Sequence, residues 1–231
     1  MPGAPIRNLT AEQVTNFTTF QVQPTKYCFQ FQALEYIKLP CKFSDKGCKV
    51  VDNRITMRKH IAECHYGVVK CPYWYKPCKE KLQLGALVDH LRNDHNSPTY
   101  QLELSEYKGN VLTCYWSTQR GQSWPPCILD IGGQTFLQCS MIRNSTMSSW
   151  LVFLGTKEEA KQYDGEMVLH RDDKNGWSGM RGLVYSIYEG QEELNEDQAG
   201  VLVLSKSQIV NVGKIQGDKV RVNMKYRVVP K

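Results

Sequence analysis

The chain has 231 residues, of which 41% are hydrophobic and 23% charged, and its formal net charge is +6. This composition is typical of a globular protein and excludes a largely disordered chain. The sequence has no apolar run of about 18 residues and no apolar core of a signal peptide near its start. We therefore expect no membrane segment and a cytoplasmic or nuclear location.

Cysteine and histidine are concentrated in one region: five of the nine cysteines and four of the five histidines fall between residues 41 and 95. In a reducing compartment such a cluster indicates metal binding rather than disulfides. The order Cys, six residues, Cys, eleven residues, His occurs twice at an offset of 30 residues, which indicates an internal duplication. A fourth ligand follows each His, so the predicted ligand sets are Cys41, Cys48, His60, Cys64 and Cys71, Cys78, His90, His95.

Each predicted unit combines a turn with a short helix. The cysteine pairs bracket "SDKG" and "WYKP", which can fold two short extended segments back on each other. In the first unit His60 and Cys64 stand at i and i+4, on one face of a helix. In the second unit His95 stands five residues after His90, which predicts that the last helical turn loosens. Four such ligands form a closed tetrahedral site, so we expect two structural zinc ions and no metal catalysis.

His65 is the one local ambiguity in these sets. It is adjacent to Cys64 and could replace it as the fourth ligand, although it would face the opposite side of the helix from His60. Units of about thirty residues bury little apolar area, so zinc binding is expected to supply most of their folding free energy.

Residues after the second unit are rich in short β-type runs. The clearest is "DKVRVNMKYRVV", in which Val220, Val222, Met224, Tyr226 and Val228 alternate with polar residues, as expected for a half-buried strand. Further runs are "VLTCYWS", "CILDI", "QTFLQCSMI", "SWLVFLG", "GLVYSIY" and "GVLVL". Gly, Pro, Asn and Asp separate them at turn spacing, which predicts a two-sheet antiparallel sandwich. The only clear helical stretch there is "TKEEAKQY".

The ligand spacings, with "LPCKF" before the first unit and "HLRNDH" at the end of the second, resemble the paired zinc fingers of the seven in absentia (SIAH) ubiquitin ligases. "WLVFLGTKEEAKQYDGEMVLH" and "YSIYEG" are similar to the middle of that family's substrate-binding domain. The resemblance covers the chain from about Leu34 onward. It implies a mainly β protein, with two SIAH-type zinc fingers over residues 34–97 and a TRAF-like antiparallel β-sandwich over residues 98–231.

Residues 1–33 are interpreted as a linker that is a remnant of the family's post-RING segment. "PGAPIRNLTAEQV" is similar to the segment that follows the last RING ligands, and residues 15–32 are extra sequence relative to the family. Cys28 lies in this stretch without a partner at RING spacing and is interpreted as a plain thiol. Family members begin with a RING domain that recruits the ubiquitin-conjugating enzyme, and these 231 residues contain no RING spacing. We therefore expect this polypeptide alone to be inactive as a ligase.

The resemblance also implies partners. Relatives bind an extended client peptide with a Val-x-Pro core beside a sandwich strand, a mode in which main-chain hydrogen bonds supply affinity. Local alignment places the groove at Thr99, Gln101, Trp116 and Thr118. Thr99 and Trp116 match the family, whereas Gln101 and Thr118 replace apolar residues.

We expect the chain to recognise clients for ubiquitin-dependent proteasomal degradation or, without a RING, to compete for them. A homodimer, or a heterodimer with RING-containing relatives, is implied in the same way. The alternative for Trp116 is that it is a core aromatic residue with no role in client binding.

Two other functions remain open from the sequence. Residues 26–95 carry 13 Lys and Arg against 7 Asp and Glu, with Tyr73, Trp74 and Tyr75 nearby, a pattern compatible with nucleic-acid binding by the fingers. The spacing argues against nucleic-acid binding, because six residues separate the cysteines of each pair, whereas fingers that read a DNA groove have two to four. A hydrolase built from Cys127 or Cys139 with His170 is the third hypothesis, and no nucleophile motif surrounds either cysteine.

Overall fold

The structure is a computed structural model that describes residues 37–73, 78–115, 122–170, 177–189 and 200–231. The helices are α1 (Arg54–Ala62), α2 (Leu84–His95), α3 (Lys157–Ala160) and α4 (Lys206–Val212). The strands are β1 (Leu39–Pro40), β2 (Val51–Asp52), β3 (Val68–Lys70), β4 (Lys81–Gln83), β5 (Thr99–Leu102), β6 (Lys108–Tyr115), β7 (Gln122–Ser123), β8 (Cys127–Ile131), β9 (Gln134–Arg143), β10 (Thr146–Phe153), β11 (Tyr163–His170), β12 (Trp177–Leu183), β13 (Tyr185–Ser186), β14 (Leu202–Ser205), β15 (Lys214–Gln216) and β16 (Lys219–Pro230). No helix in these ranges is long and apolar enough to cross a membrane.

The duplication predicted from the ligand spacing is visible in the secondary structure. In the first unit, here called finger 1, β1 pairs antiparallel with β2, and α1 follows. In the second unit, finger 2, β3 pairs antiparallel with β4, and α2 follows. Asn53 begins α1 because its side chain accepts hydrogen bonds from the amides of Ile55 and Thr56, each at 3.0 Å.

Two sheets form the sandwich. The large sheet has seven strands in the order β13-β10-β9-β8-β5, with β14 also on β10 and β7 on β9. The small sheet has five strands in the order β12-β11-β16-β15, and β6 also pairs with β16. The mainly β fold expected from the sequence is thus confirmed. Two ladders, β5 with β8 and β10 with β13, are parallel. Both join strands that are not consecutive along the chain, as a parallel pair requires, because its two strands need a crossover connection.

Strand β16 has the predicted alternation. The five alternating apolar residues predicted to face inward are buried, whereas their neighbours are exposed or half-buried. The inward face meets residues of the large sheet such as Leu129, Phe136 and Leu151 in one core. This is the pattern of a sheet with one covered face.

The large sheet, by contrast, is buried on both faces. Side chains of its second face form a separate apolar cluster with finger 2, in which Leu84, Leu87 and Leu91 of α2 meet Leu137 and Trp150. The side chains of Leu87 and Trp150 are completely buried. Finger 2 is therefore part of the folded core around the sandwich rather than an appendage to it.

Finger 1 joins the sandwich through polar contacts. The hydroxyl of Tyr188 donates to the carbonyl oxygen of Cys64 at 3.0 Å. The amide of Lys157, the first residue of α3, donates to a carboxylate oxygen of Glu63, also at 3.0 Å. Both contacts lie at the C-terminal end of α1.

Candidate metal centres

The first candidate centre lies between the β1–β2 pair and α1 of finger 1. The Sγ atoms of Cys41 and Cys64 are 3.8 Å apart, and the Sγ atom of Cys48 is 3.3 Å from Nε2 of His60. All four ligand atoms lie within 4.8 Å of one another. Cysteines that are distant in sequence thus converge on one point.

The turn between the first two cysteines has a local cause. Residues Ser44–Lys46 form a 3-10 turn that ends at Gly47, whose φ of 109° is in the left-handed region. A Cβ atom at Gly47 would also lie only 3.0 Å from the ring of Tyr66. Glycine at this position lets the chain return so that Cys48 can face Cys41.

The second candidate centre lies between the strands of finger 2 and α2. Nε2 of His95 is 3.3 Å from Sγ of Cys71, Nε2 of His90 is 3.4 Å from Sγ of Cys78, and the two Nε2 atoms are 3.1 Å apart. The expected loosening of the helix does not occur at His95. Helix α2 is regular through His95, and the left-handed residue follows at Asn96. The "WYKP" turn of this finger, residues 74–77, lies outside the described residues.

These separations can be compared with the edges of a tetrahedron around zinc. Zn–S bonds of about 2.3 Å and Zn–N bonds of about 2.05 Å give edges of about 3.8 Å for S–S, 3.5 Å for S–N and 3.3 Å for N–N. The observed S–S separation is 3.8 Å and the S–N separations are 3.3 to 3.4 Å. Two structural zinc ions, one in each Cys/His cluster, are compatible with this geometry. Four protein ligands would leave no open position for a catalytic water.

The protonation of the ligands follows from their burial. Burial raises the pKa of Cys64 to about 11 and that of Cys71 to about 12, so both thiols hold their protons at neutral pH until a metal displaces them. Burial lowers the pKa of His95, which keeps its imidazole neutral and able to act as a ligand. Zinc binding at both clusters therefore releases protons.

Asp94 is a functional residue that the sequence reasoning missed. Its carboxylate lies 2.6 Å from Nδ1 of His90, which directs Nε2 toward the centre. Asp94 stands 30 residues after Cys64, at the position that supplies the fourth ligand in finger 1. In finger 2 the residue at that position, Asp94, orients the ligand His90. The fourth member of the cluster is His95, one residue further on.

The remaining predicted residues can be placed in part. His65 is exposed, with its ring against Tyr66, and lies outside the cluster that contains Cys64. Thr99 and Gln101 lie on β5, whereas Trp116 and Thr118 lie outside the described residues, as does Cys28.

The residues of the two alternative functions are placed as follows. Cys127 and Cys139 are buried in separate clusters, and burial raises the pKa of Cys139, the reverse of what a nucleophile requires. The backbone of His170 ends β11, and its side chain lies outside the described residues. The ring of Tyr73 packs 4.5 Å from that of His95, while Trp74 and Tyr75 are not among the described residues. None of these contacts favours nucleic-acid binding or hydrolysis.

Comparison with known proteins agrees with the geometry. Residues 32–105 match the family described as "Sina, zinc finger". The E3 ubiquitin-protein ligase SINAT5 of Arabidopsis thaliana is 34% identical over 176 residues, which cover 73% of this chain and 55% of the relative. SINAT4 of the same plant is 24% identical over 207 residues, covering 85% and 59%. The E3 ubiquitin-protein ligase siah-1 of Caenorhabditis briggsae is 30% identical over 98 residues, covering 42% and 18%. The chain thus spans little more than half the length of its plant relatives.

Proposed function

Because this chain belongs to the seven in absentia (SIAH/SINA) family, we propose that it recognises client proteins for ubiquitin-dependent proteasomal degradation. The proposal assigns the clusters of Cys41, Cys48, His60, Cys64 and of Cys71, Cys78, His90, His95 to structural zinc. It assigns client binding to the sandwich, which takes an extended segment of the client as an added strand.

The observation that carries the proposal is the open edge of β5. Strand β5 is the last strand of the large sheet, and no strand in the described ranges pairs with its other edge. The amide of Ile128 donates to the carbonyl of Pro98 at 2.8 Å, and the β5–β8 ladder is parallel. Since alternate residues of a parallel strand bond to the same neighbour, Thr99 and Gln101 direct their main-chain groups to the open edge. An extended client segment could pair there.

The side chains of the same two residues are held by neighbouring elements. Nε of Arg92, on α2, donates to the hydroxyl of Thr99 at 3.1 Å. Nε2 of Gln101 donates to the carboxylate of Asp130 on β8 at 2.9 Å. Finger 2 therefore supports the edge directly, and zinc at finger 2 would stabilise the client-binding strand through α2. We infer that zinc acts on client binding through this support rather than by contact with the client.

Gln101 also gives the edge a polar character. Its exposed amide replaces an apolar residue of the family pattern, so the preferred clients are expected to differ from the Val-x-Pro segments that relatives bind. Trp116 and Thr118 are retained in the proposed groove on the basis of the resemblance alone.

Proline at position 101 tests the proposal. Gln101→Pro removes the outward N–H group and leaves the hydrogen bonds from β5 to β8 in place, whereas Gln101→Ala keeps that N–H group. Peptides selected from a random library against the wild-type protein should bind Gln101→Pro at least about tenfold more weakly, and Gln101→Ala much less so. Equal affinity of the selected peptides for Gln101→Pro and the wild type would refute strand addition at β5.

A second part of the proposal concerns competition. A 231-residue polypeptide that binds clients but contains no RING spacing occupies clients without transferring ubiquitin. By mass action it displaces a ligase once its concentration approaches its dissociation constant for the client. Reconstituted with ubiquitin-conjugating enzymes it should give no chains above background, and added to a RING-containing relative it should slow client ubiquitination. Robust chain formation by the pure polypeptide would contradict this part.

Location and assembly follow from the same reasoning. Thiolate zinc sites persist in reducing compartments, so the proposal places the protein in the cytoplasm or nucleus. The chain is also proposed to pair with a second copy of itself. Pairing with a RING-containing relative is the proposed route by which a bound client meets a ubiquitin-conjugating enzyme.

A further inference from the structure

The duplication provides an internal comparison between the surfaces of the two fingers. Finger 2 contacts the large sheet through residues that include Val69, Leu84 and Val88. Thirty residues earlier, finger 1 has Leu39, Arg54 and Arg58 at the equivalent positions. We call these three residues the finger-1 face. Val69 is 5% exposed, whereas Leu39 is 47% exposed.

In the part of the chain that the structure describes, the finger-1 face is uncovered because finger 1 is attached elsewhere. Its contacts with the sandwich, from Tyr188 and from the amide of Lys157, are at Glu63 and Cys64, after the end of α1. Arg54 and Arg58 are exposed. The surface that is buried in one copy of the duplication is thus accessible in the other.

The charges on this face are unfavourable for the helix that carries them. Arg54 is the first residue of α1, where the helix dipole disfavours a cation, and Arg58 is at i+4, where like charges repel. Within the described ranges neither guanidinium has an ion pair. Helix α2 differs, because its Arg92 pairs with Asp89 on the same helix. An anionic partner would relieve the repulsion on α1.

We propose that the finger-1 face binds an acidic protein segment that carries an aliphatic residue between its carboxylates. Guanidinium groups bind carboxylates through paired, charge-assisted hydrogen bonds. The exposed side chain of Leu39, with that of Ile55 at 53% exposure, offers apolar contact to the aliphatic residue. Nucleic acid fits this face less well, because single strands stack on aromatic rings and both aromatic rings of finger 1 near the centre, Phe43 and Tyr66, pack against its core. The inference does not depend on client binding at β5.

The test uses a fluorescein-labelled peptide of repeated Glu-Glu-Leu and the full zinc-loaded chain, with binding measured by fluorescence anisotropy at low salt. The double variant Arg54→Glu with Arg58→Glu should bind the peptide at least about tenfold more weakly. Arg54→Gln with Arg58→Gln should also weaken binding, and Leu39→Ala should do so without any change in charge. Zinc content and circular dichroism establish that each variant is folded.

The matched control reverses two other exposed cations, Lys214 and Arg221, which are paired across β15 and β16. Lys214→Glu with Arg221→Glu changes the net charge by the same amount and should leave peptide affinity within about twofold. Equal weakening by the two double variants would show attraction by net charge alone and overturn the proposal. Absence of peptide binding, or tighter binding of an RNA oligonucleotide of equal charge, would also overturn it.

Discussion

The burial of finger 2 against the large sheet makes a quantitative prediction about Leu87. This side chain is completely buried between α2 and the sheet, in the same cluster as Trp150. Truncation of a buried leucine costs about 2 to 5 kcal/mol, and we expect about 3 kcal/mol for Leu87→Ala, near the middle of that range. With a urea m-value of about 2 kcal/mol per molar, the midpoint for unfolding of the sandwich should fall by about 1.5 M.

The duplication supplies a matched control at Met57, the residue of finger 1 that is equivalent to Leu87. Met57 is buried in the separate small core of finger 1 with Cys41, Cys48 and Cys64. Met57→Ala should weaken finger 1 and leave the sandwich midpoint unchanged within about 0.25 M urea, which corresponds to about 0.5 kcal/mol at the same m-value. Urea unfolding followed by far-ultraviolet circular dichroism, with zinc in excess, compares the two variants. Equal shifts of the sandwich midpoint, or no shift for Leu87→Ala, would refute the shared core.

Three further predictions concern the metal centres. Cys41→Ser should abolish zinc binding in finger 1 and leave the sandwich unfolding midpoint unchanged; loss of the sandwich transition would contradict this. Asp94→Asn should lower zinc affinity at finger 2 by about 10- to 100-fold in a chelator competition, because it weakens the partner that orients His90, and an unchanged affinity would show that the contact has no such role. Zinc affinity should rise with pH more steeply at finger 1, with three thiols, than at finger 2, with two, because each thiol loses its proton when it binds zinc. Equal slopes would argue against the ligand sets.

Local patterns predicted a large part of the fold. The alternation in β16 identified a strand with one covered face, and the repeated spacing identified two metal clusters, because both features depend on residues close in sequence. Helix α4 was not predicted, since Ile209, Val210 and Val212 favour strands. A capping box between Ser205 and Gln208 was the signal that could have identified it.

The packing of finger 2 on the sandwich could not be predicted from ligand spacing, since it joins segments that are distant in sequence. Two signals pointed to it in retrospect. Leucines at positions 84, 87 and 91 form an apolar face on α2, where finger 1 has Arg54 at the first of these positions. The unbroken apolar run Trp150–Phe153 of β10 is typical of a strand buried on both faces. The sequence does not show which element covers the second face of β10; the tertiary contacts identify that element as finger 2.

The most direct test of the account is the zinc stoichiometry of the folded chain, measured by native mass spectrometry. Two zinc ions are expected in the wild type and one in Cys41→Ser, since each cluster supplies four ligands for its own ion. Cys71→Ser should also lose one ion, and it should destabilise the sandwich as well because finger 2 shares its core. A fully folded wild-type chain with one zinc ion or none would contradict the account.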